Sequence, residues 1–334
     1  MNDLSKIPRQ NSTVSNVGPG RSRLKHILES GQFALTAEIT PPASSSLAEL
    51  LAKAAPLKGL ADAVNVTDGA SARAHLEATI AANTLLQNGI EPILQLTCRD
   101  RNRIALQSQL LGAAALGLTN ILALRGDDPK AGDQPEAKPV FDLDAAGLAA
   151  TAVAIRDQGQ LPHGRKVGGS AHFFVGVADA PIDPPDGWVP DSLIKKVEAG
   201  AQFAQTQFCM DADVLRRYLA CLAANGLAGR LHLLVGVAPL ASAKSARWIK
   251  SRLFGSIIPD WIIERLDKAG DPIAEGRAIC VDLLKEYAEI PGISGGHIMA
   301  PLNETSIPLV IESVRASGTL APRLSASAFS YAPR

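Results

Sequence analysis

The stretch ILALRGDDP at residues 121–129 decides the fold, because an apolar, β-forming run ends there at charged residues and a proline. Seven other stretches have the same form: TAEITPP (36–42), VNVTDGA (64–70), ILQLTCRD (93–100), FFVGVADAP (173–181), AQTQFCMD (204–211), LLVGVAPL (233–240) and GGHIMAPLN (295–303). The runs recur roughly every 30 residues, the repeat of a strand followed by a crossover helix. They predict an α/β fold, a (β/α)8 TIM barrel with its active site at the carboxyl ends of the strands.

The segments between these runs predict the helices and the domain organisation. Alanine- and leucine-rich stretches with helical spacing separate most of the strands. The stretch 245–290, between strands seven and eight, is nearly twice the length of an ordinary crossover, and it predicts several extra helices with breaks at Pro259 and Pro272. We expect a mobile N-terminal arm at 1–22, a single catalytic barrel at 23–320 and a C-terminal tail at 321–334.

The overall composition narrows the class of partner. The chain has 334 residues with 33 basic and 33 acidic side chains, so no net field favours nucleic acid or an anionic membrane. No apolar run approaches the roughly 20 residues of a membrane span, and the first residues have no signal-peptide core, which predicts a cytoplasmic protein. The four cysteines show no metal-type or disulfide-type spacing; Cys98 and Cys209 lie near strand ends, where buried apolar cysteine is the usual interpretation and a catalytic thiol the alternative.

Polar residues that end the apolar runs are the first candidates for function. They are Glu38, Asp68, Arg99, Asp100, Arg125, Asp127, Asp128, Asp179, Gln207 and Asp211. Because the carboxyl ends of all eight strands meet at one rim of a barrel, we expect these side chains at a common mouth.

Two carboxylates lead this set. Glu38 stands between Ala37 and Ile39, so it must face a polar cavity or pair with a cation. It is either one half of a structural ion pair with an inward Arg or Lys, or a general acid. Asp127 follows Arg125 and Gly126; the glycine allows close approach of a ligand, and the arginine can neutralise an anion or Asp127 itself.

An amide and a lysine complete the candidates. Gln207 lies among apolar residues, so its amide needs either a heteroaromatic ring with matching edges or an internal network with Thr206 or Asp211. Lys196 is interpreted either as an ordinary solvated residue on a helix face or as a residue that binds a ligand phosphate. His297 begins an apolar strand run and is interpreted as a satisfied core or rim histidine rather than a ligand.

Six segments, AEITPP, NVTDGAS, LTCRDRNR, ILALRGDDP, KKVEAGAQFAQTQFCMD and GGHIM, resemble the methylenetetrahydrofolate reductase family in the same order over about residues 33 to 303. The resemblance is to bacterial members that consist of the catalytic barrel only. It implies reduction of 5,10-methylenetetrahydrofolate to 5-methyltetrahydrofolate, with NADH or NADPH as co-substrate and bound FAD as cofactor.

The resemblance also implies roles for individual residues. Glu38 corresponds to the general acid that protonates the folate, and Asp127 to the catalytic carboxylate beside flavin and substrate. Gln207 corresponds to the amide that binds the pterin. The positions that correspond to FAD contacts are Thr67, Arg125, Asp127, Lys196 and Ala180.

Departures from the family pattern leave other functions open. Ala180 stands where an aromatic residue is common, and Gln95 stands where a histidine is frequent. The alternatives are direct hydride transfer from NAD(P)H without flavin, a folate-dependent barrel methyltransferase, and a folate- or flavin-binding barrel without turnover. No metal is expected, and apolar helices in 245–290 either pack on another subunit of a homo-oligomer or simply close the barrel.

Overall fold

Eight parallel strands form a closed barrel in chain order, β1 to β8, in the computed structural model, which describes residues 21–301 and 303–320. The (β/α)8 prediction is confirmed. The predicted tail lies outside the described residues, as does the predicted arm apart from Arg21 and Ser22. The strands are β1 Ala34–Ile39, β2 Ala63–Val66, β3 Pro92–Thr97, β4 Asn120–Leu124, β5 Phe174–Asp179, β6 Phe203–Phe208, β7 His232–Val237 and β8 Ile293–Ile298.

Helices surround the barrel, and extra helices separate β7 from β8 as predicted. Pro259 directly precedes one of these helices and Pro272 is the first residue of another, because proline is tolerated at a helix start but not in its interior. The helices are α1 Arg23–Glu29, α2 Leu47–Ala54, α3 Ala78–Gln87, α4 Arg103–Ala115, α5 Ala145–Gln158, α6 Asp191–Glu198, α7 Ala212–Ala224, α8 Ala243–Arg252, α9 Asp260–Lys268, α10 Pro272–Ala288 and α11 Ser306–Ala316. Among residues 21–301 and 303–320, no helix combines the length and apolar character that a membrane crossing requires.

An apolar layer fills the amino end of the barrel interior. Phe174 and Phe203 stack there with ring centroids 4.8 Å apart, and Gly176 leaves room for the Phe203 ring. Helix α1 covers this layer. The layer and the helix together bury Leu24, Ile27, Leu28, Ala34, Ala63, Ile93, Leu122, Phe174, Phe203 and Leu234.

Charged side chains hold α1 over the amino end. The buried carboxylate of Glu91 accepts hydrogen bonds from the backbone N–H groups of Arg23 and Leu24, at 3.0 and 2.9 Å. Asp62 pairs with the guanidinium groups of Arg23 and Arg315. Since an anion at a helix start is favourable, these contacts seal the amino end and leave the carboxyl end for a ligand.

The α8–α9 region carries exposed aromatic side chains. Trp248 and Trp261 are about half exposed and Phe254 is 92% exposed. Aromatic exposure of this kind is typical of contact surfaces. The possible homo-oligomer stays a prediction.

Candidate active site

A polar layer lies above the apolar layer, inside the barrel. Asn65 and Gln205 form an amide pair across the barrel: Asn65 Nδ2 donates to Gln205 Oε1 at 2.6 Å, and Gln205 Nε2 donates to Asn65 Oδ1 at 3.0 Å. Gln205 Nε2 also lies 3.1 Å from Thr36 Oγ1, which is 3.0 Å from His297 Nδ1. We call Thr36, Asn65, Gln205 and His297 the floor network, since buried polar groups that satisfy one another form a rigid unit.

Three predicted site residues stand one level nearer the mouth. Glu38, Thr67 and Gln207 each lie two residues downstream of a member of the floor network. Side chains two residues apart on a strand share a face, so Glu38 and Thr67 project above the floor network. Gln207 is half-buried at the carboxyl end of β6, after a shift in the pairing register of β6 with β7. The barrel thus brings together a carboxylate, a hydroxyl and an amide that are far apart in sequence.

Glu38 is held by a glutamine amide and lies beside a histidine ring. Its side chain is 24% exposed, its Oε2 accepts a 2.8 Å hydrogen bond from Gln95 Nε2, and His297 Nε2 lies 3.7 Å from the same oxygen. Within residues 21–301 and 303–320 no Lys or Arg pairs with Glu38, so the described structure gives no support to the alternative of an ion pair with Arg or Lys. A partly exposed carboxyl group at the mouth is available for proton transfer.

Thr67 and Gln207 have hydrogen-bonding capacity left over. Thr67 Oγ1 is buried with no partner in the described part of the chain. Gln207 Oε1 accepts from its neighbour Phe208 N at 3.0 Å, while no hydrogen bond from Gln207 Nε2 occurs among the described residues. The predicted internal network is absent there too: Thr206 Oγ1 donates to the backbone oxygen of Gln207, and Asp211 caps α7. The Gln207 amide therefore retains donors for a ligand.

Arg125 and Asp127 lie on the exposed loop after β4. The Arg125 guanidinium lies over the ring of Phe141, with Cζ 4.5 Å from the ring centroid. Phe141 has a left-handed φ of 43° and donates its N–H to Cys98 O. Because strained backbone of this kind persists only where its surroundings hold it, the loop presents Arg125 in a defined position. Arg125 and Asp127 form no ion pair with each other in the described structure.

Lys196 reaches the exit of β5 from α6. Its Nζ donates to Ala178 O at 2.7 Å, so the side chain is anchored rather than solvated. Burial lowers the pKa of Lys196 and raises the pKa of neighbouring Asp179, which accepts a 2.7 Å hydrogen bond from Tyr218 Oη. An ammonium group has three donors, and this contact uses one of them.

Ala180 has a neighbour that fills its surroundings. A Cβ built on Gly255 would lie 2.9 Å from Ala180 Cβ and 3.8 Å from Gln207 Cγ, and Gly255 has a left-handed φ of 78°. The segment around Gly255 bonds to the end of β6 through Ile257 N and Phe208 O at 2.8 Å. Backbone therefore occupies the space beside Ala180 that a larger side chain would need.

Other charged residues at strand ends stabilise the loops. Arg101 makes a bidentate pair with Asp68, which also accepts from the N–H and hydroxyl of Thr97. Arg99 is buried against Asp100 and Gly69 O. These groups are satisfied by the protein itself.

The thiols at the strand ends are unsuited to nucleophilic chemistry. Burial raises the pKa of Cys98 to about 12 and that of Cys209 to about 12. A thiol that stays protonated is a poor nucleophile, so the apolar interpretation is the better one. No group of three or more His, Cys, Asp or Glu side chains is placed to hold a metal ion among the described residues.

Comparison with known proteins identifies the family. The model of the family described as methylenetetrahydrofolate reductase matches residues 23–315. The chain belongs to the methylenetetrahydrofolate reductase family. Methylenetetrahydrofolate reductase 2 of Schizosaccharomyces pombe is 28% identical over 253 residues, which cover 70% of this chain and 37% of that protein. The 5,10-methylenetetrahydrofolate reductase of Pectobacterium carotovorum subsp. carotovorum is 26% identical over 269 residues, which cover 76% of this chain and 81% of that protein.

The family match confirms the resemblance read from the sequence motifs. The chain spans about a third of the length of the eukaryotic family members it matches, such as that of S. pombe, and about four fifths of the bacterial ones. An uncharacterized protein from Clostridium thermocellum, described as binding two copies of 5-methyl-5,6,7,8-tetrahydrofolic acid, has a TM-score of 0.62 at 12% identity; the match covers 88% of this chain and 99% of that chain. At this identity the likeness shows the fold alone.

Two residues at the site of this family member were not among the predicted site residues. Gln95 and His297 both face Glu38. The alternation of side chains along a strand could have indicated both residues. Gln95 shares a strand face with Thr97 at the end of β3, and His297 points to the face opposite that of apolar Ile298 in β8. The prediction that His297 is a satisfied core histidine is confirmed, but its place beside Glu38 was missed.

Proposed function

We propose that this protein reduces 5,10-methylenetetrahydrofolate to 5-methyltetrahydrofolate with NADH or NADPH as the source of hydride. The single observation that carries the proposal is Glu38: a half-buried carboxyl group at the mouth of a family-typical barrel, held by a glutamine amide and not neutralised by Lys or Arg within the described residues. A carboxyl group in this setting supports proton transfer to a bound folate.

The proposed chemistry divides between the residues of the mouth. Glu38 protonates the folate nitrogen that bears the aryl group, the five-membered ring opens to an iminium cation, and hydride addition to the methylene carbon gives the methyl group. The cation is stabilised by nearby negative charge, which Asp127 supplies from the exposed loop after β4. The unused amide donors of Gln207 bind the acceptor edge of the pterin.

The residues present fit a bound FAD. Thr67 offers a buried hydroxyl without a partner in the described structure, Arg125 is exposed in a defined position, and two donors of Lys196 remain for a phosphate. Thr67, Arg125, Asp127 and Lys196 would hold the cofactor. When bound, FAD supplies a two-electron carrier between the nicotinamide and the folate.

One observation favours a second candidate, direct hydride transfer without flavin. Backbone at Gly255 fills the space beside Ala180, so this side of the mouth lacks room for an aromatic residue that would stack on a flavin ring. A nicotinamide would then lie directly against the folate in the same mouth.

The first experiment is the visible absorbance spectrum of the purified protein, followed by anaerobic addition of NADH or NADPH with and without 5,10-methylenetetrahydrofolate. Flavin bands that bleach with the nucleotide and recover with folate support the FAD route. A colourless protein that oxidises the nucleotide only with folate supports direct transfer. Absence of any folate-dependent oxidation refutes the reductase proposal and leaves methyl transfer or simple binding.

The second experiment replaces the proposed acid. Glu38→Gln keeps the size of the side chain but removes the transferable proton, so we expect kcat to fall by about 10² to 10⁴-fold with folate still bound. Glu77→Gln is the matched control, because Glu77 also accepts a glutamine hydrogen bond, from Gln109 Nε2 at 2.7 Å, but on the outer helices. Equal activity of the two variants would exclude Glu38 as the acid.

A further inference from the structure

The side chains around Glu38 touch only one of its two carboxyl oxygens. Oε2 accepts the 2.8 Å hydrogen bond from buried Gln95 and faces His297 Nε2 at 3.7 Å. Oε1 has no hydrogen bond within residues 21–301 and 303–320. The two oxygens of a free carboxylate are equivalent, so the surroundings of Glu38 have made them different.

The contacts of the floor network indicate which ring nitrogen carries the proton in the neutral form of His297. Gln205 Nε2 is an amide donor that lies 3.0 Å from Asn65 Oδ1, 3.1 Å from Thr36 Oγ1 and 3.3 Å from His297 Nδ1. The Thr36 hydroxyl lies 3.0 Å from the same Nδ1 and 3.4 Å from Gly296 O. Because an amide nitrogen cannot accept a hydrogen bond, a proton on Nδ1 would point at a donor, so Nδ1 is the acceptor. Since Nδ1 accepts, the ring proton of neutral His297 lies on Nε2, the nitrogen that faces Glu38.

Both neighbours of Oε2 therefore present N–H groups to it. A carboxyl proton placed on Oε2 would compete with the Gln95 N–H for the same side of that oxygen, whereas a proton on Oε1 meets no such donor. We propose that Gln95 is a positioning residue that holds Oε2 of Glu38 as an acceptor and thereby places the transferable proton on Oε1, the oxygen left to face the folate nitrogen. This inference rests on the proposed reductase function.

The placement has a consequence for kinetics. Gln95 acts through Glu38 and not on the folate, so losing its amide should slow proton transfer without weakening substrate binding. A purely structural role would instead lower stability and leave kcat unchanged. Replacement by another N–H donor of similar reach should restore the rate.

The test compares Gln95→Leu, which keeps the bulk, with Gln95→Asn, which stays polar but is one methylene too short to reach Oε2. We expect kcat for folate-dependent NAD(P)H oxidation to fall about tenfold in both, with the folate KM within twofold of the parent. Gln95→His, which retains an N–H donor, should recover most of kcat. If Gln95→Leu does not fold, Gln95→Asn carries the comparison.

The matched control is Gln109→Leu, because Gln109 also donates through Nε2 to a glutamate, Glu77, but between the outer helices α3 and α4. It should leave kcat unchanged. Parent activity with kcat of both Gln95 variants within twofold, or a raised KM at constant kcat, overturns the positioning role while the reductase function stands. A parent protein without folate-dependent oxidation overturns both.

Discussion

The amide pair of Asn65 and Gln205 offers a measurable test of how the floor network stabilises the barrel. Among the described residues, both hydrogen bonds of the Asn65 side chain go to Gln205, at 2.6 and 3.0 Å, whereas Gln205 also reaches Thr36. Gln205→Met therefore leaves the buried amide nitrogen and oxygen of Asn65 without hydrogen-bond partners. Asn65→Leu leaves only the carbonyl oxygen of Gln205 without one. Each buried group left unpaired costs about 2 kcal/mol, so we expect the free energy of unfolding to fall by about 4 kcal/mol in Gln205→Met and by about 2 kcal/mol in Asn65→Leu.

The double variant, which combines Gln205→Met with Asn65→Leu, tests whether the two side chains pair with each other. With both amides replaced by apolar groups, neither leaves the other unpaired, and the loss reduces to the net value of three hydrogen bonds, about 1 kcal/mol each. The double variant should therefore lose about 3 kcal/mol rather than the sum of about 6 kcal/mol. The assay is urea unfolding of the parent, both single variants and the double variant, followed by far-ultraviolet circular dichroism. Additive losses, or a larger loss for Asn65→Leu than for Gln205→Met, would refute the assignment of the pair.

Two other predictions concern ionisation. Burial raises the pKa of Cys98 and Cys209 to about 12, and Cys221 is only half-buried. At pH 8 the native protein should therefore react with a disulfide reagent first at Cys221, and the other thiols should react only after unfolding. Early labelling of Cys98 in a peptide map would contradict this. Burial also raises the pKa of Asp179, so the folded state binds the proton of this carboxyl group more tightly than the unfolded state does. Ionisation of Asp179 therefore lowers the stability of the fold as pH rises above the usual aspartate range. Asp179→Asn, which can still accept from Tyr218, should therefore be more stable than the parent at pH 8 and similar to it at pH 4 in thermal unfolding; a constant difference at both pH values would exclude this cause.

Much of the fold was predictable because its signals are local. Each strand is an apolar run that ends at a polar residue or proline, and each boundary in the β7–β8 insertion follows from the backbone restriction of Pro259 or Pro272. The order of β1 to β8 then follows from the repeat, since parallel neighbours joined by right-handed crossovers close in chain order.

The candidate site was predictable in part. Glu38 and Gln207 stood out because each is polar among apolar neighbours at a strand end, and the structure places both at the mouth. Asp68 and Arg99 had the same signal, yet they are satisfied by the protein's own loops. A polar residue at a strand end shows that a partner is needed, but it does not show whether the partner is a ligand or another side chain.

The sequence by itself determined the barrel, its extra helices, its family and the rim at which the candidate site lies, because strand alternation, turn residues and motif order are properties of short segments. Only the tertiary structure decided which side chains meet. Gln95 lies 57 residues from Glu38, and Asn65 lies 140 residues from Gln205. Contacts of that separation depend on the stagger of strands in the closed barrel, which sets the level at which inward side chains face one another, and no local pattern encodes that stagger.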